Sequence, residues 1–222
     1  MGDRKTLVLT GASRGIGHAT VKRFSKEGWR VITCSRKGFP ANCPWEAGPE
    51  DHLQIDLASP QDVERGVADL RSRLNGLPLH ALVNNAGISP KTSDGLRLDT
   101  VSADLDLWQQ VYQVNVFAPL MLAKSMLDCL QAGSGAVVNV TSIAGSRVHE
   151  FAGSAYATSK SALSALTREM ASDFGKLGVR VNAIAPGEIK TDILSSESEA
   201  TILPQIPLGR FGNADEVADT IF

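Results

Sequence analysis

Residues 6–17 read TLVLTGASRGIG: a five-residue run of aliphatic and β-branched side chains breaks into a loop with glycines at 11, 15 and 17. The next stretch, IGHATVKRFSKEG (16–28), has apolar residues at helical spacing and ends at Gly28, a natural stop. A strand, a glycine turn and a helix in that order suit an anionic ligand. The glycines let phosphates approach the backbone, and the helix start offers free N–H groups. Gly11, Ser13, Arg14, Gly15, Ile16 and Gly17 are therefore candidate nucleotide-binding residues. A ligand-free tight turn is the plain alternative.

The same alternation continues outward. RVITCS (30–35) and HLQID (52–56) read as the second and third strands, and Ser59-Pro60-Gln61-Asp62 opens a helix with a cap, a first-turn proline and an acid. ALVNNAG (81–87) and AVVNVTS (136–142) read as buried strands, with a helix from about Asp104 to Gln131 that Pro119 should kink. A helix from about Ser154 to Lys176 and the strand VRVNAIAP (179–186) follow. Continuous apolar strands separated by helices imply an α/β protein: one doubly wound parallel sheet covered on both faces, forming a single domain over 1–222. Two stretches are irregular, 37–50 and 192–207, and the second suits a substrate lid spanning about 188–210. Asn213-Ala214-Asp215-Glu216 resembles a capping box, but the helix it opens stops in mid-face at Phe222, which reads as a truncated end lacking a final strand.

Composition narrows the classes. The 222 residues are 43% hydrophobic and 21% charged, as in a soluble globular domain with a substantial core. Lys+Arg 22 against Asp+Glu 24 leaves a net charge of -2, so nothing calls for nucleic acid or an anionic membrane. Cys34, Cys43 and Cys129 show neither a disulfide framework nor metal spacing, and no metal site is expected. With cytosolic thiols and no signal peptide, a cytoplasmic location is expected. MGDRKT fits a myristoylation pattern and Asn139-Val140-Thr141 a glycosylation sequon, but each runs into a core strand.

The end of the second strand bears on which nucleotide is bound. NAD sites place an acid there to hold the ribose 2′-hydroxyl. This chain has Ser35, Arg36 and Lys37 instead, with Arg14 in the glycine loop. Two guanidiniums and a hydroxyl suit a 2′-phosphate, so NADP(H) is expected over NAD(H). Solvated strand-end charges are the alternative. Asp56, followed by Leu57, could accept from the adenine amino group or only cap the turn before Ser59.

These features resemble the short-chain dehydrogenase/reductase family. Thr10-Gly11-x-x-x-Gly15-x-Gly17, Asn84-Asn85-Ala86-Gly87, Asn115, Ser142, Tyr156-x-x-x-Lys160 and Pro186-Gly187-x-x-x-Thr191 follow its order over residues 6 to 222. Among its members the chain is most similar to the 3-oxoacyl carrier-protein reductases and related carbonyl reductases. The resemblance implies a Rossmann fold and hydride transfer between nicotinamide and a carbonyl or secondary alcohol. It assigns catalysis to Asn115, Ser142, Tyr156 and Lys160, and places Asn84, Ala86, Gly87, Pro186, Gly187, Ile189 and Thr191 at the cofactor. Tyr156 and Lys160, four apart, share one helix face. The ammonium and an oxidised nicotinamide should lower the phenol's pKa, while Ser142 holds the same substrate oxygen and Asn115 anchors a water that relays protons to Lys160.

The substrate is less legible. His149, Phe151 and Glu188 are candidates to face it together with Ser142 and Tyr156, although His149 and Glu150 could equally be surface residues. Similar carrier-protein reductases dock an acidic partner on arginines where this chain has Gly133 and Leu177, which favours a small free substrate over an acyl carrier. A 3-oxoacyl thioester reductase and a non-catalytic NADP(H)-binding sensor or scaffold remain the alternatives. The resemblance also implies a homotetramer, or a homodimer, built on the 104–131 and 154–176 helices.

Overall fold

A computed structural model describes residues 4–38, 48–190 and 200–222. The expected alternation is there: β1 (Thr6–Thr10), α1 (Gly15–Lys26), β2 (Arg30–Ser35), β3 (His52–Gln54), α2 (Pro60–Leu74) and β4 (Ala81–Asn84). Then come α3 (Leu105–Tyr112), α4 (Ala118–Ser125), α5 (Leu127–Ala132), β5 (Ala136–Val140), α6 (Ser154–Gly175), β6 (Arg180–Ile184) and α7 (Ala214–Ile221). Among the described residues the strands form one parallel sheet in the order β3-β2-β1-β4-β5-β6. The order reverses between β1 and β4, and a crevice opens there at the strands' C-terminal ends.

The apolar runs are continuous because each strand buries both faces. In β1, Val8 joins the core layer containing Leu70 and Leu74 of α2 and Leu122 of α4, while Leu7 and Leu9 join the layer containing Val21 and Phe24 of α1. Val217 and Ile221 of α7 complete that second layer. Asn213 caps α7 through the expected capping box with Glu216. Phe222 packs edge-on against Phe24 at 5.0 Å, under the Arg23 guanidinium at 4.0 Å.

One polar chain crosses this apolar interior. Asn84 and Asn139 are register partners on β4 and β5, and Asn84 Nδ2 donates to Asn139 Oδ1 at 2.9 Å. Asn139 Nδ2 donates to Thr167 Oγ1 on α6 at 2.9 Å, and Thr167 donates to Leu163 O at 2.7 Å. Asn139 is fully buried, so the glycosylation sequon is a strand residue of the core.

The 104–131 helix departs from the expectation of one kinked helix. It is broken into three pieces, with a π-helical turn at Gln113–Phe117 and an interruption at Met126. The π turn precedes Pro119. The proline lies in the first turn of α4, where its missing N–H costs little. The third strand is also shorter than HLQID, ending at Gln54 and leaving Asp56 in the turn that follows.

Candidate active site

The glycine loop is shaped by close backbone approach. Gly11 has φ 73, and a Cβ there would lie 2.9 Å from Ala86 Cα. A Cβ on Gly17 would lie 2.1 Å from Gly11 O, so the third glycine brings α1 against the loop. Asn85 secures this approach from β4. Its Nδ2 donates to Thr10 O at 3.1 Å and Gly11 O at 3.0 Å, and Thr10 Oγ1 accepts from the Asn85 and Ala86 N–H groups at 3.1 Å.

One trough runs from this loop across the ends of the strands. Its first half is lined by Gly11, Ser13, Arg14, Ser35, Arg36, Asp56, Leu57, Ala86 and Gly87. Its second half continues past Ile16, Pro186, Gly187 and Ile189 to Ser142, Tyr156 and Lys160. Arg14 and Arg36 line both halves, and among the described residues neither has an ion-pair partner. The Ser35 hydroxyl donates to Lys37 O at 2.8 Å. Asp56 caps the turn through Oδ1, which accepts from Ala58 N at 3.0 Å, and it also lines the trough.

Three expected cofactor residues, Asn84, Gly15 and Gly17, do not line the trough. Asn84 turns into the core, because neighbours on a strand face opposite ways, and Asn85 lines the trough instead. Gly15, at φ 55, serves the loop's backbone shape rather than the wall. Thr191 falls outside the described residues, as does most of the proposed lid's first half.

The catalytic candidates converge from three elements. Lys160 is 3% exposed and its Nζ donates to Val140 O at 2.7 Å; the same Nζ stands 5.7 Å from the Tyr156 ring centre. Burial brings the Lys160 ammonium down to about 8. Tyr156 does not show the expected lowering. Burial raises its pKa, a hydrogen bond with Ser142 lowers it, and the charge of Glu188 raises it further. Desolvation of the phenolate outweighs the Ser142 hydrogen bond.

Asn115 sits in the π turn, fully buried. Its Oδ1 accepts from Ile88 N at 2.9 Å, and its Nδ2 donates to Ile88 O at 3.1 Å and Ser159 Oγ at 2.9 Å. The carboxamide is thus committed to holding the loop after β4 against α6. π turns of this sort often mark functional sites.

The substrate candidates form an adjoining wall. His149 Nε2 meets Glu188 Oε1 at 2.5 Å, both side chains being mostly buried, so His149 is not a surface residue. Phe151 N donates to His149 Nδ1 at 3.2 Å, which leaves the ring proton on Nε2, facing Glu188. Lys91, from the loop after β4, donates to Phe151 O. Lys91 and Gln110 also line the trough, and neither carried a sequence signal beyond its place near a motif.

Among the described residues there is no cluster of three metal-ligating side chains, and no helix is long and apolar enough to cross a membrane. Burial raises both described cysteines, Cys34 to about 12.

Comparison with known proteins agrees with this geometry. The chain is 57% identical to Protein FixR of Bradyrhizobium diazoefficiens over 222 residues, covering 100% of this chain and 80% of that one. It is 32% identical to the 3-oxoacyl-[acyl-carrier-protein] reductase FabG of Aquifex aeolicus, covering 98% and 88%. A crystal structure of a Brucella ovis oxidoreductase of the short-chain dehydrogenase/reductase family, in complex with a partially ordered NAD, superposes with a TM-score of 0.85 at 60% identity. That match covers 98% of this chain and 91% of the other. The model of the short chain dehydrogenases matches residues 5–201, from the first strand past α6 and β6, and the chain belongs to this family of nicotinamide-dependent oxidoreductases.

Proposed function

We propose that the protein is an NADP(H)-dependent oxidoreductase acting on a carbonyl or secondary-alcohol substrate, with Tyr156 as general acid and base. The observation that carries this is Lys160. A buried lysine is costly, and this one is held by Val140 O one helical turn from Tyr156, in a trough that also receives Ser142.

The trough's donor set fits a dinucleotide. Close backbone approach at Gly11 and Gly17 leaves room for phosphates at the start of α1, and Asp56 is placed for an adenine amino group. Arg14 and Arg36, without carboxylate partners, favour a 2′-phosphate. The partially ordered NAD in the Brucella ovis relative is compatible with the same adenosine wall and a weaker hold without that phosphate. When bound, the nicotinamide supplies or takes the hydride. Ser142 hydrogen-bonds the substrate oxygen, and Tyr156 donates its proton there during reduction. Lys160 holds the phenol's surroundings positive, and Asn115 positions Ile88 and Ser159 beside them.

An acyl-carrier partner is disfavoured, since the corresponding surface offers the apolar, 41% exposed Leu177 and no charge at Gly133. Leu105 and Phe117, 70% and 48% exposed on the broken helix, support its use as a subunit face in a homotetramer, which light scattering would measure. The activity test is NADPH oxidation against ketones, aldehydes and a 3-oxoacyl thioester. Turnover of a free carbonyl is expected; NADPH binding without turnover in any class would replace this reading with a binding role.

A further inference from the structure

Lys91, on the trough wall, and its bridge partner Arg97 have no task in the mechanism above. Residues 91–97 fold back on themselves, with Lys91 and Arg97 joined by an antiparallel bridge. This hairpin rests on the start of α6, where Ser154 N donates to Leu98 O at 3.0 Å. Lys91 lines the trough with Ser142 and Tyr156. Arg97 donates to Ser154 Oγ at 3.3 Å, while its Nε is buried with no hydrogen-bond partner. Neither cation forms an ion pair among the described residues. Asp99 feels the charge of Arg97, but its Oδ1 accepts from Val101 and Ser102.

The arrangement is unfavourable as it stands. The Lys91 ammonium is pushed below its ordinary pKa, by burial first and by Arg97 second. Both cations also stand at the N-terminal end of the 22-residue α6, whose dipole adds positive potential. An anion would relieve all three. Lys91 gives one N–H to Phe151 O, and an ammonium has two more to offer. One negative group acts on the same site: Glu188, held by His149, raises the Tyr156 pKa through its charge.

We propose that Lys91, backed by Arg97, holds an oxyanion of the substrate, so that the substrate class is carbonyl compounds or alcohols bearing a carboxylate or phosphate. This rests on the oxidoreductase reading of the same site. The oxyanion lies toward Lys91.

The test has two arms. In the first, malonate and inorganic phosphate are titrated by calorimetry into protein saturated with NADP+. One of them binds wild type at least about tenfold tighter than Lys91→Gln, a single charge-assisted contact's share, and Lys91→Arg recovers most of it. Which anion responds separates carboxylate from phosphate. In the second arm, kcat/KM with NADPH is compared for acetoacetate against ethyl acetoacetate, and for dihydroxyacetone phosphate against dihydroxyacetone. Wild type prefers the anionic member of one pair, and Lys91→Gln lowers kcat/KM for that member about tenfold more than for its neutral counterpart. Anion affinity independent of Lys91 would overturn the proposal, as would preference for the neutral member of both pairs. An equal fall on neutral substrates would also overturn it, since Lys91 would then merely brace Phe151. Lys91-dependent anion binding without any turnover would sink the oxidoreductase reading and leave the anion site standing.

Discussion

The two halves of the trough are built differently. The nucleotide half is a backbone construction in which Gly11, Gly17, Thr10 and Asn85 bring two strand ends and a helix start within van der Waals contact. The substrate half is a side-chain construction, with Lys91, His149 and Glu188 arriving from three loops and linked through the backbone N–H and C=O of Phe151. A backbone site depends on which residues have no Cβ. A side-chain site depends on which charges meet.

Tyr156→Phe breaks the substrate half most severely. It should lower kcat by roughly a hundred- to ten-thousand-fold, the usual worth of a positioned acid–base group, with NADPH affinity measured by fluorescence titration unchanged. Retained activity would place the proton donor elsewhere. Gly17→Ala attacks the other half through packing alone. Its methyl would meet Gly11 O, a backbone atom that cannot swing aside, so a loss near the top of the roughly 1–3 kcal/mol range for overpacking is expected in urea unfolding, together with weaker cofactor binding.

Arg36→Asp sharpens the comparison by changing a charge within the backbone-built half. The ratio of NADPH to NADH kcat/KM should fall about tenfold or more, with stability little altered; an unchanged ratio would assign the 2′ end to other residues. The smallest effect concerns Lys160, in the second half of the trough. Its folded pKa of about 8 lies below the ordinary lysine value of 10.5, so the unfolded chain binds the extra proton and stability rises with pH across that interval. Cys34, raised from 9.0 to about 12, acts in the opposite sense only above its unfolded pKa. Between pH 8 and 9, wild type should therefore gain about 1 kcal/mol relative to Lys160→Met in urea midpoints.

The contrast also explains what the sequence could convey. Glycine spacing and apolar runs are local, so β1, the loop and α1 were readable at their true places, and Tyr156 with Lys160 followed from one helical turn. Asn84 and Asn85 were harder, since adjacent strand residues face opposite ways and only the fold says which one turns inward. The break at Gln113–Phe117 was not legible either: Pro119 looked like the cause, yet the π turn lets the Asn115 carboxamide pair with Ile88 and Ser159. Burial, which fixed the sign of the Tyr156 shift, cannot be read from a motif. Lys91 carried no pattern at all, because its partners lie 60 residues away.

The buried Asn84–Asn139–Thr167 chain has one further consequence, for how the sheet finds its alignment. In a sheet that is apolar on both faces, sliding β5 along β4 by two residues still presents aliphatic side chains to both layers, so burial alone penalises the error weakly. The slide would separate the two carboxamides and leave each in a dry interior without a partner, a cost of about 1–3 kcal/mol per group. The pair works as a proofreading mark on the central ladder, rejecting misaligned pairings that aliphatic side chains would tolerate.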